Sequence, residues 1–204
     1  MKAIVLARRD FREYDQIISF YTEEIGKVEL LARGIKKITS KQSAHAEPFS
    51  LVDLDIARGK EIDHLIGITA TEIFPAIRAD WHKSVAAGYA VSITDKLLEI
   101  GLKDEKVFNL LAGWLGFLAG AEFYGRSLLD GYIVGLLNCL GLNITATAGI
   151  PIVIAGDLAV LASGDWPVIN RREAADDKTH DFIYQFVLFH GNKKAADWKF
   201  NVKN

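Results

Sequence analysis

Val52-Asp53-Leu54-Asp55-Ile56 alternates apolar and acidic side chains with a period of two. Successive side chains of an extended chain point to opposite faces. This stretch therefore buries Val52, Leu54 and Ile56 and turns both carboxylates to water. The same alternation recurs on either side of it. Val28, Leu30 and Ala32 oppose Lys27, Glu29 and Arg33, while Ile62, His64, Ile66, Ile68 and Ala70 oppose Asp63, Gly67, Thr69 and Thr71. Ala3–Arg8 and Gln16–Thr22 are two further strand candidates, and Arg9–Asp15, Ile25-Gly26 and Arg58-Gly59-Lys60 are turn-like separators. Five short strands within about 70 residues, with no helix between the first three, predict a small antiparallel barrel. By pattern alone it is an OB-fold or an SH3-like barrel.

Beyond residue 77 the period changes. Trp81, Val85, Tyr89, Ile93, Leu97 and Ile100 recur every three or four residues, closed by Gly101. Val107, Leu110, Leu111, Trp114, Leu115 and Leu118 form a second stripe. Leu128, Leu129, Tyr132, Ile133, Leu136, Leu137 and Leu140 form a third, ending at Gly141. Such stripes are the buried faces of amphipathic helices. Ser127 and Asp130 have capping-box spacing at the third helix's start. After Gly141 the pattern weakens. Ile150–Leu161 is apolar and β-branched with Gly156-Asp157 placed as a hairpin turn, and Asn170–Thr179 is polar and reads as exposed. A short helix around Ile183, Phe186 and Val187 ends near Gly191, and the tail Asn192–Asn204 reads as frayed. The expected class is α+β: a barrel over 1–77, then a helical region over 78–204. Within it, β-structure competes with helix at about 147–170.

Composition narrows the functions available. The chain has 204 residues, half of them apolar and a quarter charged, with a net charge of −2. That is a globular composition, without the bulk basicity of a histone-like protein. Its single cysteine, Cys139, excludes a disulfide framework and a cysteine-based zinc site. No charged residue falls between Asp130 and Asp157, but Gly131, Gly135, Gly141, Gly149 and Pro151 interrupt that run. It reads as a buried core rather than a spanning helix. The start of the chain lacks an apolar core long enough for a signal peptide.

Catalytic patterns are absent. Gly34 leads into Lys36-Lys37 without the second glycine of a phosphate loop, and no nucleophile elbow or His-Glu-x-x-His occurs. The five histidines have no ligand spacing. His64 reads as a satisfied core histidine, and His180-Asp181 as helix neighbours that do not face each other. No catalytic residue, metal ligand or cofactor is expected. The charge signal is local instead. Lys27, Arg33, Lys36, Lys37 and Lys41 lie in a segment holding one acidic residue, Glu29, and Arg8, Arg9 and Arg12 flank the end of the first strand. Phe11, Tyr14, Phe20, Tyr21 and Phe49 lie near them. Cations that track a backbone, with aromatic rings that stack bases, are the elements of single-strand binding.

Arg8-Arg9-Asp10-Phe11-Arg12-Glu13-Tyr14-Asp15, Phe20-Tyr21-Thr22-Glu23-Glu24-Ile25-Gly26-Lys27 and Ala32-Arg33-Gly34 together resemble the RecO family of bacterial DNA-repair proteins. Ser40-Lys41, Glu47-Pro48-Phe49, Leu54 and Arg58-Gly59 continue the match in register. The resemblance covers residues 1–80 well and the helices to about 141 loosely. It implies an N-terminal OB-fold, a helical C-terminal region and cytoplasmic work as a recombination mediator. The family binds single- and double-stranded DNA, acts with the RecR protein and the single-strand binding protein, and hydrolyses no nucleotide. Many members carry a four-cysteine zinc motif, which one cysteine cannot form. Under this resemblance Arg8, Arg9, Arg12, Lys27, Arg33, Lys36, Lys37 and Lys41 are the expected DNA contacts. Trp114, Leu115, Leu118 and Arg126 are the expected groove for the tail of the single-strand binding protein. The competing classes are a protein adaptor with no DNA role and a membrane-associated protein.

Overall fold

The computed structural model describes residues 1–122, 124–171 and 177–190. The tail expected to fray lies outside the described residues, as do residues 172–176 of the expected polar segment. The chain divides into two compact units, residues 1–122 and 123–204.

The first unit opens with the five expected strands: β1 (Lys2–Asp10), β2 (Gln16–Thr22), β3 (Gly26–Ala32), β4 (Leu51–Ala57) and β5 (His64–Glu72). They close in the order β1-β2-β3-β5-β4, antiparallel except for a parallel β3–β5 contact at Leu31 and His64. That closure is the OB-fold rather than the SH3-like barrel. A bulge between Val5 and Ala7 bends β1, which pairs with β2 along its length and with β4 at Lys2–Ile4. Val5, Ile18, Phe20, Leu30, Val52, Leu54 and Ile68 fill the interior. Asp53 and Asp55 face solvent, as the alternation requires.

The phase of β5 differs from expectation. Asp55 pairs with Gly67 but Ile56 pairs with Leu65, so Ile66 is an extra residue in a bulge. Leu65 and Ile68 point inward and Ile66 is 59% exposed. His64 starts the strand half-buried, and its Nδ1 has no described hydrogen-bond partner, contrary to the satisfied core histidine expected.

Three helices complete this unit: α1 (Pro75–Ala79), α2 (Trp81–Leu97) and α3 (Glu105–Gly120). Asp80 caps α2 by accepting the Lys83 N–H at 3.1 Å, and this bond holds its carboxyl below the usual range. The buried face of α2 keeps only Tyr89 and Ile93 of the expected stripe. Ala86, Ala87, Ala90, Val91 and Ile93 are buried, whereas Trp81 is 77% exposed. Small residues let α2 lie close on β1 and β2, and the helix turns accordingly. On α3 the expected stripe holds, extended by Phe108.

The second unit is helical: α4 (Arg126–Cys139), α5 (Ile152–Leu161), α6 (Trp166–Arg171) and α7 (Asp177–His190). α4 packs against α5, α6 and α7 and is buried on most of its surface, which accounts for its run without charge. Ser127 and Asp130 are buried within α4 and do not cap it; the N-cap is Gly125. The expected hairpin at 150–161 is instead α5. Ile154, Asp157, Leu158 and Leu161 repeat with helical spacing and are buried, and this packing overrides the β-branched propensity of Ile152 and Val153. Asn170 and Thr179, expected to be exposed, are buried. The Asn170 side chain accepts the Gly125 N–H at 3.0 Å, and the Thr179 hydroxyl donates to Asp157 at 2.7 Å. Among the described residues no helix is long and apolar enough to cross a membrane.

Candidate nucleic-acid interface

Two segments of the barrel meet at one end. The β1–β2 turn is closed by the Phe11 N–H donating to the Asp15 carbonyl at 3.2 Å. The segment after β3 turns at Gly34, whose φ of 66° is in the left-handed region that favours glycine. Asp15 Oδ1 accepts the Gly34 N–H at 2.8 Å, and the Lys36 N–H donates to the Tyr14 carbonyl at 3.1 Å. Ile35 is buried in the barrel core between them, so Lys36 and Lys37 are left facing outward. The Asp15 carboxylate thus sets how the two segments sit.

Between them lies a shallow depression of about 380 Å³, lined by Arg12, Glu13, Tyr14 and Asp15 on one side and Arg33, Gly34 and Lys37 on the other. The Phe11 and Tyr14 rings are each 47% exposed. The Arg12 guanidinium lies 5.1 Å from the Phe11 centroid, and Lys37 Nζ lies 5.9 Å from the Tyr14 centroid. A hydrogen bond to Glu13 raises the Tyr14 phenol above its ordinary pKa. Three cations line the depression against two carboxylates, one of which is occupied by Gly34.

The eight expected DNA contacts divide by what holds them. Arg12, Arg33, Lys37 and Lys41 are exposed and have no ion-pair partner among the described residues. Arg9 pairs with Glu29 at 2.6 Å and Lys36 with Asp10 at 2.8 Å, both near the surface. Bonds from Gln16 and then Lys36 hold the Asp10 carboxyl below its ordinary value. Arg8 is bound between Gln16 and Glu47. Lys27 is a correction. Its ammonium is buried, donates to the carbonyls of Asp95 and Leu98 at the end of α2, and pairs with the Asp95 carboxylate. It faces the interior because the start of β3 is covered by the chain that follows α2, where Lys27 bridges to Ile100.

The expected peptide groove is also corrected. Trp114, Leu115 and Leu118 are fully buried in the packing of α3 and have no surface to offer a peptide. Arg126 pairs with Asp177 at 3.1 Å, and its Nε is buried without a described hydrogen-bond partner. Of the five nearby aromatics, Phe20 and Tyr21 are core and Phe49 is 8% exposed. The anchoring role of Asp15 has no signal in spacing. His180 does find a carboxylate, Asp130 at 2.8 Å across the helix pair, and not its neighbour Asp181.

The residues behind the family resemblance hold turns and junctions. Thr22 Oγ1 donates to the Gly26 carbonyl and accepts the Ile25 N–H. Phe49 takes a φ of 55° beneath the Arg78 guanidinium, 4.3 Å from its ring. Residues 1–74 match the family described as Recombination protein O N terminal. A DNA repair protein RecO of Geobacter metallireducens is 32% identical over 158 residues, covering 72% of this chain and 65% of the relative. The RecO proteins of Geobacter sulfurreducens and Pelotomaculum thermopropionicum are 33% and 32% identical, with 72% and 67% of this chain covered and 60% and 57% of theirs. The chain thus spans less than two-thirds of the length of these relatives.

Proposed function

Since the chain belongs to the RecO family through its N-terminal barrel, we propose that it is a DNA-binding recombination mediator in repair. The reading is carried by the depression at the β1–β2 turn, which Arg12, Arg33 and Lys37 line together with an exposed Tyr14 ring. Cations there neutralise backbone phosphates and release counterions. A cation over an exposed ring is worth about 0.5–1 kcal/mol, whereas a stacked base is worth about 1–3 kcal/mol. A base therefore displaces Lys37 from the ring and frees its ammonium for phosphate. Duplex DNA is held by the same cations through its backbone alone.

The role is to bring strands together and load a recombinase, with a RecR-like protein and the single-strand binding protein as partners in the bacterial cytoplasm. It requires no bond-making step and no cofactor. An annealing assay tests it. Complementary oligonucleotides coated with single-strand binding protein should anneal faster when the protein is added. Unchanged annealing, with partner binding intact, would leave a protein adaptor as the function.

A further inference from the structure

We propose that the depression between Tyr14 and Arg33 is a single-nucleotide pocket, which takes one unstacked base against the Tyr14 ring and its phosphates on Arg33 and Lys37. The inference rests on the DNA-binding reading above and deepens it. Its volume, about 380 Å³, has room for one nucleotide. Its two sides differ in charge. Arg12, Glu13 and Asp15 line the side of the β1–β2 turn, two carboxylates against one cation, and Arg33 and Lys37 alone line the other. Carboxylates repel phosphate, so the backbone runs along Arg33 and Lys37 and the base points toward the turn. The backbone that carries the ring is fixed, since the Asp15–Gly34 and Lys36–Tyr14 bonds hold both segments. A paired base cannot reach the ring without leaving its duplex. The pocket thus gives a preference for single strands that the cations alone do not.

The test compares a dT oligonucleotide with an equally long, equally charged abasic one, both at low salt. Wild type should bind the dT strand about tenfold tighter, the range of one stacked base. Tyr14→Ala should bind both about equally, near the wild-type affinity for the abasic strand. Tyr14→Phe should restore the preference, since stacking needs the ring and not the hydroxyl. Equal binding of both strands by wild type would overturn the pocket while leaving salt-dependent DNA binding in place. So would loss of the preference in Phe11→Ala rather than in Tyr14→Ala. Absence of binding to either strand would remove the DNA reading and the pocket with it.

Discussion

The Lys27 ammonium lies 3.1 Å from the Asp95 carboxylate, joining the start of β3 to the last turn of α2. Ser19 on β2 donates to the same carboxylate, and the ammonium also donates to the Leu98 carbonyl at 3.1 Å. A basic residue that reads as a DNA contact is therefore a junction between barrel and helix. The cation at a helix C-terminus also answers the helix dipole.

Lys27→Met should destabilise the protein by about 2 kcal/mol, because the buried acceptors lose their donor. Thermal unfolding should fall by several degrees, while oligonucleotide affinity of the folded protein stays within about twofold. A large loss of affinity with unchanged stability would return Lys27 to the interface.

Asp15 offers a test in which simple charge and structure disagree in sign. Asp15→Ala removes a negative charge beside the candidate phosphate path, so charge alone raises DNA affinity. It also leaves the Gly34 N–H without its acceptor and unfastens the loop that carries Arg33 and Lys37. The structure predicts weaker binding, by about fivefold or more. Asp15→Asn keeps an acceptor oxygen and should bind at least as well as wild type. Fluorescence titration of both variants decides between the two signs.

Asp10 is held ionised by bonds from Gln16 and Lys36, and its lowered pKa sets the sign of its pH effect. The pair with Lys36 persists above the ordinary carboxylate range and is lost as the pH falls through the lowered value. Asp10→Asn imitates that loss at neutral pH. It should free Lys36 for one more phosphate contact, raising single-strand affinity about fivefold at 0.1 M salt and steepening the salt dependence by about 0.7. An unchanged slope would place Lys36 outside the path of the DNA.

Gly26 sits at a φ of 74°, and a Cβ added there would come within 2.2 Å of the Leu102 carbonyl oxygen. Gly26→Ala should cost about 2 kcal/mol or more, from left-handed strain and from that clash. Chemical denaturation measures it directly. A neutral substitution would show that the turn and the chain after α2 are not as tightly apposed as described.

The strands were legible because alternation reports burial directly, as at Val52-Asp53-Leu54-Asp55-Ile56. The β5 bulge was not, since one extra residue at Ile66 inverts the phase without changing composition. α5 does not read as a helix because Ile152 and Val153 favour strands locally, while the stronger term is packing on α4. Of the candidate interface, the cations and Tyr14 were legible as residue types. Which cations are bound elsewhere was not, because Lys27, Arg8 and Lys36 meet partners distant in sequence. The Trp114 groove failed for a related reason: an apolar stripe does not say whether its own chain covers it.

We propose that Arg12, Arg33 and Lys37 hold single-stranded DNA at the Tyr14 depression. The most direct test is the affinity for a single-stranded oligonucleotide measured across a series of salt concentrations. Three phosphate contacts give a slope of log affinity on log salt of about −2. Arg33→Glu with Lys37→Glu should reduce that slope by about 1.4 with thermal unfolding nearly unchanged, as exposed substitutions shift stability by less than about 0.5 kcal/mol. A wild-type slope near zero, or the same slope in the double variant, would contradict the claim.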